Sequence, residues 1–158
     1  MLIRSLLRNS VKDYLFDNRV PNPINVTFTE KQIVGSTVID EYVSDNNFRY
    51  FRNMLNKKIF GNSFVRFGEQ LKMIVIREGG KDLRYHLHTI IEQPTKLTLK
   101  EFEKLINECW SKTLFGHDKV HIEKPSNQER EDGWLHYVLK KRTKVDFSNS
   151  IVWEHTHI

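Results

Sequence analysis

The fold is decided by one segment, LKMIVIREGGKDLRYHLHTIIE, residues 71–92. Its first part, residues 71–78, is a strongly apolar run of the kind found in strands inside a sheet. Gly79-Gly80 and Lys81-Asp82 predict a turn, after which residues 84–92 return as a second strand. The segment therefore predicts a β-hairpin.

The elements on either side of this hairpin complete an α+β pattern. The sequence predicts further strands at 24–29 and 119–124 and helices at 2–17, 40–60, 98–113 and 133–141. Thr98 and Glu101 form a capping box at the start of one of these helices. Without the first helix, the order matches a ferredoxin-like (RRM-like) antiparallel sheet with helices on one face and an added C-terminal helix.

The composition predicts one globular domain covering residues 1–158. Hydrophobic residues make up 39% of the chain and charged residues 28%, which excludes a disordered chain. No apolar run approaches the roughly 18 residues of a membrane span, and the single Cys109 cannot form an intramolecular disulfide. We therefore expect a cytoplasmic protein, in a bacterium or inside a host cell, with no membrane partner.

The surplus of positive charge lies in one stretch, residues 49–72. The net charge of the chain is +5, and this stretch alone supplies it, because its six basic residues face one acid, Glu69. The six are Arg49, Arg52, Lys57, Lys58, Arg66 and Lys72. Charge clustered in this way is typical of proteins that bind a polyanion such as DNA, although a solvated helix face gives the same pattern.

His86 and His88 are candidate metal ligands on the second strand of the hairpin. Residues i and i+2 of a strand project from the same face, so both imidazoles can reach one divalent ion, although a solvated histidine pair is the commoner explanation. Glu78 ends the partner strand and folds back opposite residues 85–86. Glu92 lies roughly 13 Å past His88, at about 3.3 Å per residue, and is expected either at the surface or as an acid that supports the ligands without binding the ion. We predict that His86, His88 and Glu78 bind Mg²⁺ or Mn²⁺.

Tyr137 and Lys140 are neighbours on one face of the predicted C-terminal helix. A phenol with a pKa of about 10 is a poor nucleophile at neutral pH unless a cation or a metal lies nearby. Lys140 can supply that cation or hold a phosphate, and Lys141 and Arg142 extend the positive edge. For the motif taken alone, an amphipathic helix with solvated lysines is the commoner explanation.

Taken together, these residues resemble the HUH endonucleases, specifically the single-tyrosine replication-initiator (Rep) proteins of rolling-circle plasmids, phages and small DNA elements. The matching motifs, in the order of the family, are VTFT (26–29), HLH (86–88) and YVLK (137–140), and they extend over about residues 24–142. Glu78 occupies the place of the family's additional metal ligand. VTFT is a loose match to the first motif and serves only as a marker of the fold.

The resemblance implies a sequence-specific, metal-dependent endonuclease that nicks and rejoins single-stranded or melted origin DNA to start rolling-circle replication. Tyr137 would attack the scissile phosphate and form a 5′-phosphotyrosine link, with Lys140 in support. The implied DNA contacts are Arg49, Arg52, Lys57, Lys58, Arg66, Lys72, Lys141 and Arg142. No GxxxxGK[ST] motif occurs in the sequence, so no helicase domain is expected and unwinding would fall to a separate host or element helicase.

Other functions remain open at this point. A transposase or relaxase of the same superfamily would share the histidine and tyrosine motifs. A non-catalytic RRM-like module would place paired aromatic side chains on the two central strands, and a structural zinc protein has little support without cysteine pairs. The N-terminal helix (1–20) and the tail (143–158) lie outside the resemblance. The tail repeats the spacing in His155-Thr156-His157, but we expect it to be a loosely ordered chain end.

Overall fold

The computed structural model describes residues 2–80, 82–140 and 150–158. In that part of the chain, the helices are α1 (Leu2–Asp17), α2 (Glu41–Phe60), α3 (Asn62–Phe67), α4 (Leu99–Ser111) and α5 (Gln128–Lys140). The strands are β1 (Pro23–Glu30), β2 (Ile33–Val34), β3 (Thr37–Val38), β4 (Met73–Gly80), β5 (Leu83–Glu92) and β6 (Gly116–Glu123). The protein is therefore an α+β structure, as the sequence predicts. No helix among these is long and apolar enough to cross a lipid bilayer.

The predicted hairpin is formed by β4 and β5. Glu78 pairs with His86 and Gly80 pairs with Leu83, with a register shift between the two pairs. Gly79, at φ 145°, is held close to Tyr85, where a Cβ atom would come within 2.7 Å of the Tyr85 backbone. Only glycine fits that position, so the Gly79-Gly80 pair fixes the turn and with it the register of the hairpin.

The main sheet has four strands in the order β4-β5-β1-β6, and every neighbouring pair is antiparallel. β2 and β3 form a separate two-stranded hairpin. The order of the main sheet is compatible with a ferredoxin-like arrangement. It places β5 and β1, which carry the histidines and the VTFT motif, in the middle.

One face of the sheet is covered by α2 and α4. Alternate residues of the strands, such as Val26 and Val75, join buried residues of both helices in one apolar core. At its centre the Phe28 ring packs against Phe51 and Trp110, with centroids 4.8 and 4.6 Å away. The capping box predicted at the start of α4 is present, with both of its hydrogen bonds. Burial of this aromatic core is the main force that holds the two helices on the sheet.

The opposite face is covered by α1 and α5. Ile74, Ile76 and Ile90 point to this side and form a second core with Leu15 of α1 and Leu139 of α5. Arg19, just after α1, forms an ion pair with Asp132 of α5. The prediction of helices on one face therefore describes α2 and α4 only, because the N-terminal helix and the C-terminal helix pack on the other side.

The C-terminal segment, residues 150–158, lies along the outer edge of β4. Bridges pair Ile76 with Ile151 and Met73 with His157. His155 is buried beside Phe48 of α2, with ring centroids 5.2 Å apart, and its Nε2 lies 3.1 Å from the carbonyl oxygen of Asp45. The expectation of a loosely ordered end is therefore wrong for these residues. Residues 143–149 of the predicted tail lie outside the described part of the chain.

Candidate metal centre

Glu78, His86 and His88 come together on the face covered by α1 and α5. One ligand atom from each residue lies within 4.8 Å of the other two, and this is the one such group in the described part of the chain. Glu78 Oε2 lies 2.8 Å from His86 Nε2 and 3.5 Å from His88 Nε2. The three residues predicted as ligands are therefore brought together in the structure, in a group that could hold a metal ion.

The hairpin register explains the geometry of this group. Because Glu78 and His86 are direct partners across β4 and β5, their side chains leave the sheet side by side. His88 lies two residues further along β5 and points to the same face. Glu78 and His88 are buried, at 5% and 7% exposure, and His86 is half-buried.

The hydrogen bond on the far side of His86 fixes its tautomer. His86 Nδ1 lies 2.9 Å from the carbonyl oxygen of Arg84, and a carbonyl can only accept, so Nδ1 carries the hydrogen. In neutral imidazole the lone pair is then on Nε2, which faces the Glu78 carboxylate. Two acceptors face each other at 2.8 Å, and this arrangement is favourable only with a cation or a proton between them. The donor set therefore fits a metal ion.

His88 is held from behind by Thr27 of β1. The Thr27 Oγ1 atom lies 3.2 Å from His88 Nδ1, because the two residues are partners in the register of β1 and β5. When Nδ1 donates to this hydroxyl, Nε2 keeps its lone pair toward Glu78. A histidine that binds a metal commonly donates its second ring N–H to such a partner.

Glu78 itself is held in its charged form. Burial in the sheet acts to raise the pKa of Glu78. When protons and not a metal ion lie between Glu78 and the two rings, the hydrogen bonds that His86 and His88 then donate hold the pKa well below the usual range of a carboxyl group. A permanently charged carboxylate beside two imidazoles is a set of ligands suited to a divalent cation.

Glu92 lies apart from this group, as the strand-length argument predicts. It stands at the far end of β5, where its backbone pairs with Pro23. Its Oε2 atom accepts a hydrogen bond of 3.0 Å from the backbone N–H of Lys72. Glu92 therefore helps to hold the start of β4.

Tyr137 and Trp134 of α5 stand beside His88. The Trp134 and Tyr137 rings lie 5.7 and 6.4 Å from the His88 ring, centroid to centroid, and 5.8 Å from each other. Tyr137 is 44% exposed, so solvent reaches it next to the candidate metal ligands Glu78, His86 and His88. Trp134 packs against the second core. His136, one residue before Tyr137, lies beside Phe16 of α1, with the two ring centroids 4.6 Å apart. Lys140 is the last residue of α5, and Lys141 and Arg142 lie outside the described residues.

The basic stretch does not adjoin the metal-binding group. Arg49, Arg52, Lys57 and Lys58 belong to α2, which packs on the other face of the sheet. Arg49 Nε lies 2.9 Å from a carboxylate oxygen of Glu154, and Arg52 donates to the Glu154 carbonyl at 2.8 Å. Both arginines therefore hold the C-terminal segment in place. Within the basic stretch, the cations exposed to solvent are Lys57, Lys58, Arg66 and Lys72.

An open cleft of about 720 Å³ lies next to Tyr137, and the sequence did not indicate it. It is bounded by Asn25 of β1, by Glu123 at the end of β6, and by the first turns of α5. Asn25 lies two residues before Thr27 and so shares its face of β1. From the sequence, the alternation along β1 could have placed Asn25 on the same face as Thr27. The cleft itself could be recognised only once the position of α5 was known.

No protein-family model, curated protein or solved structure matches this chain. Its function therefore has to be argued from the chemistry of the site.

Proposed function

We propose that this protein is a metal-dependent endonuclease that nicks and rejoins single-stranded DNA, with Tyr137 as the nucleophile. The observation that carries this proposal is the position of Tyr137, whose partly exposed ring lies 6.4 Å from the ring of His88. A phenol is a nucleophile of limited strength at neutral pH and needs positive charge nearby to act. His86, His88 and Glu78 are the residues that would bring that charge.

These three residues would hold a divalent cation such as Mg²⁺ or Mn²⁺. The fit rests on the buried carboxylate of Glu78 and on the hydrogen bond that turns the Nε2 lone pair of His86 toward it. A divalent ion at this place, when bound, offsets the negative charge that develops on a phosphate under attack.

The chemical step exchanges one phosphate ester for another. The Oη atom of Tyr137 bonds to the scissile phosphorus and its proton passes to water, while the bond from phosphorus to the 3′ oxygen breaks. The departing oxygen takes a proton from water and becomes a free 3′-hydroxyl, and the 5′-phosphate stays on Tyr137. Because one ester replaces another, attack by a 3′-hydroxyl can reverse the step without ATP. Lys140 would support the tyrosine or the charged phosphate.

The DNA strand is proposed to use two surfaces of the protein. The cleaved segment lies at the metal-binding group, beside α5. The flanking DNA contacts the solvent-exposed cations of the basic stretch, Lys57, Lys58, Arg66 and Lys72, since such contacts position the backbone without selecting a sequence. Arg49 and Arg52 are less suitable than the sequence suggests, because Glu154 engages both.

The biological reaction proposed is initiation of rolling-circle replication, with a transposase or relaxase as the alternative of identical chemistry. Strand transfer tested on origin substrates and on element ends separates these roles. A non-catalytic RRM-like module is disfavoured, because the described side chains of β1 and β5 on the histidine face include no Phe, Tyr or Trp. They are Pro23, Asn25, Thr27, Thr29, Arg84, His86, His88, Ile90 and Glu92.

The test is to incubate the purified protein with a randomised single-stranded DNA library and Mn²⁺, and to separate the products on a denaturing gel. We expect a covalent protein–DNA adduct that disappears with EDTA and with Tyr137→Phe. Tyr50→Phe is the matched control, because Tyr50 is an exposed tyrosine on α2, on the other side of the sheet. Absence of an adduct from the wild-type protein, or an adduct that persists in Tyr137→Phe, would overturn the proposal.

A further inference from the structure

The cleft beside Tyr137 is lined by amide, carboxylate, guanidinium and aromatic side chains. Its lining includes Asn25, Glu123, Glu129, Arg130, Trp134 and Tyr137. Tyr137 therefore belongs both to the cleft and to the surroundings of His88. A ligand in the cleft would therefore lie next to Glu78, His86 and His88, where the scissile phosphate is proposed to bind.

Among these residues, Asn25 gives the clearest indication of a ligand in the cleft. The residue is 5% exposed, its side-chain amide makes no hydrogen bond to any described residue, and the surface that the amide keeps accessible faces the cleft that it lines. Buried amides in folded proteins are nearly always paired, so an unpaired one on the wall of a cleft points to a ligand. Its carbonyl oxygen accepts and its NH₂ group donates, which suits the edge of a nucleobase.

The charges of the lining exclude phosphate and favour amino groups. Glu123 and Glu129 supply two carboxylates against the single guanidinium of Arg130. A phosphate would be repelled, whereas carboxylates accept hydrogen bonds from the exocyclic amino group of a base. Trp134 adds an aromatic wall on which a base can stack, and its indole Nε1 has no hydrogen-bond partner among the described residues.

The spacing to the metal-binding group is that of neighbouring nucleotides. Asn25 lies two residues before Thr27, the partner of His88, on the same face of β1. At about 3.3 Å per residue, Asn25 and Thr27 are roughly 7 Å apart along β1. This distance is comparable with the length of one nucleotide in extended single-stranded DNA.

We propose that this cleft receives one unpaired nucleobase next to the scissile phosphate and selects bases that carry an exocyclic amino group. The inference rests on the proposed function and adds a determinant of its specificity. Asn25 contacts the edge of the base, Glu123 and Glu129 accept from its amino group, and Trp134 stacks against its ring.

The test uses the wild-type protein in EDTA, so that binding is measured without cleavage. Fluorescence anisotropy compares labelled oligo(dC) and oligo(dU) strands of equal length, whose bases differ at the amino-bearing edge. We expect oligo(dC) to bind about tenfold more tightly, in line with one good amide–base pair. Asn25→Ala should weaken the binding of oligo(dC) more than that of oligo(dU), and so bring the two affinities closer together. Asn107→Ala, on the exposed face of α4, should keep the full preference.

Glu123→Gln is the second variant, because its exposed side chain puts the fold at little risk. It should also reduce the preference, which keeps the test decisive if Asn25→Ala does not fold. Equal binding of the two strands by the wild-type protein, or a full preference in the variants, would overturn the specificity inference while the adduct assay still supports the nuclease. No binding to either strand, together with no adduct, would overturn the proposed function itself.

Discussion

The ring of Tyr137 stands edge-on to the ring of His88, at an interplanar angle of 84°. The two residues belong to different elements, α5 and β5, so the packing of the helix on the sheet sets the distance between them. Val138 and Leu139, which follow Tyr137, are buried in the second core. These contacts anchor α5 and leave the phenol partly exposed beside the candidate metal ligands.

Tyr137→Phe removes one oxygen and keeps the ring that packs beside His88 and Trp134. We therefore expect the melting temperature and the binding of Mn²⁺ to stay close to those of the wild type. Covalent attachment to DNA should disappear, because the phenol oxygen is the proposed attacking atom. Mass mapping of the wild-type adduct should place the nucleotide on a peptide that contains Tyr137. A modified peptide that carries any other tyrosine would contradict the assignment.

Glu78→Gln replaces a charged oxygen at the metal-binding group by a neutral amide. We expect the affinity for Mn²⁺, measured by isothermal titration calorimetry, to fall by more than about tenfold, because hard divalent cations prefer charged oxygen ligands. Glu92→Gln is the matched control, since Glu92 hydrogen-bonds to the backbone of Lys72 at the other end of β5. His86→Ala and His88→Ala should weaken binding as Glu78→Gln does. A larger loss in Glu92→Gln would mean that the ion lies elsewhere.

Thr27→Val tests the support behind His88. Valine keeps the shape of the side chain but cannot hydrogen-bond to Nδ1, so His88 is no longer oriented. Loss of such a partner usually lowers metal affinity by roughly tenfold to 100-fold. Thr29→Val is the control, because Thr29 shares the face of β1 and makes no side-chain hydrogen bond to the described residues. Equal Mn²⁺ affinities in the two variants would remove Thr27 from this role.

Glu30→Gln should change how the free energy of unfolding depends on pH. Glu30 is fully buried, and burial raises its pKa from 4.5 to about 7, against opposing hydrogen bonds from Ser44 and Asn47. Between these values the folded state binds more protons than the unfolded state, so this residue makes stability fall as pH rises. The stability of Glu30→Gln relative to wild type should therefore increase from pH 4.5 to pH 7, by up to about 3 kcal/mol.

The quantity to measure is the difference in free energy of unfolding between Glu30→Gln and the wild type. His155 affects the pH dependence of both proteins equally, and in the direction opposite to Glu30. Burial and the nearby charge of Arg52 lower the pKa of His155 from 6.5 to about 4, so its contribution makes stability rise with pH across that window. Urea denaturation of both proteins at several pH values gives the difference directly. A constant difference from acid to neutral pH would show that Glu30 titrates normally.

The grouping of Glu78, His86 and His88 was predictable because its geometry is local. Gly79 and Gly80 close the hairpin, and the alternation of side chains along each strand then places Glu78 opposite His86. The same rule places Glu92 too far along β5. Short-range geometry of this kind depends only on strand rise and on the turn, both of which can be derived from sequence.

The parts that sequence did not predict depend on contacts between distant segments. Arg49 and Glu154 are 105 residues apart in the sequence, so counting charges could not show that Glu154 engages Arg49. The packing of α1 on the second face and the burial of His155 likewise depend on contacts with the sheet and with α2 that form only in the folded protein. The short hairpin of β2 and β3 has two residues in each strand, too few for periodicity to be detected.

The C-terminal segment has a further consequence for how the protein behaves at high concentration. The backbone N–H and carbonyl groups of Met73 bond to His157, and those of Val75 bond to Thr156 and Val152. Unpaired groups on an outer strand invite pairing with a second molecule. The opposite border, β6, carries charged residues such as Asp118, Lys119 and Glu123, which discourage that pairing. A chain that ended before residue 150 would therefore leave β4 uncovered and promote self-association through the sheet.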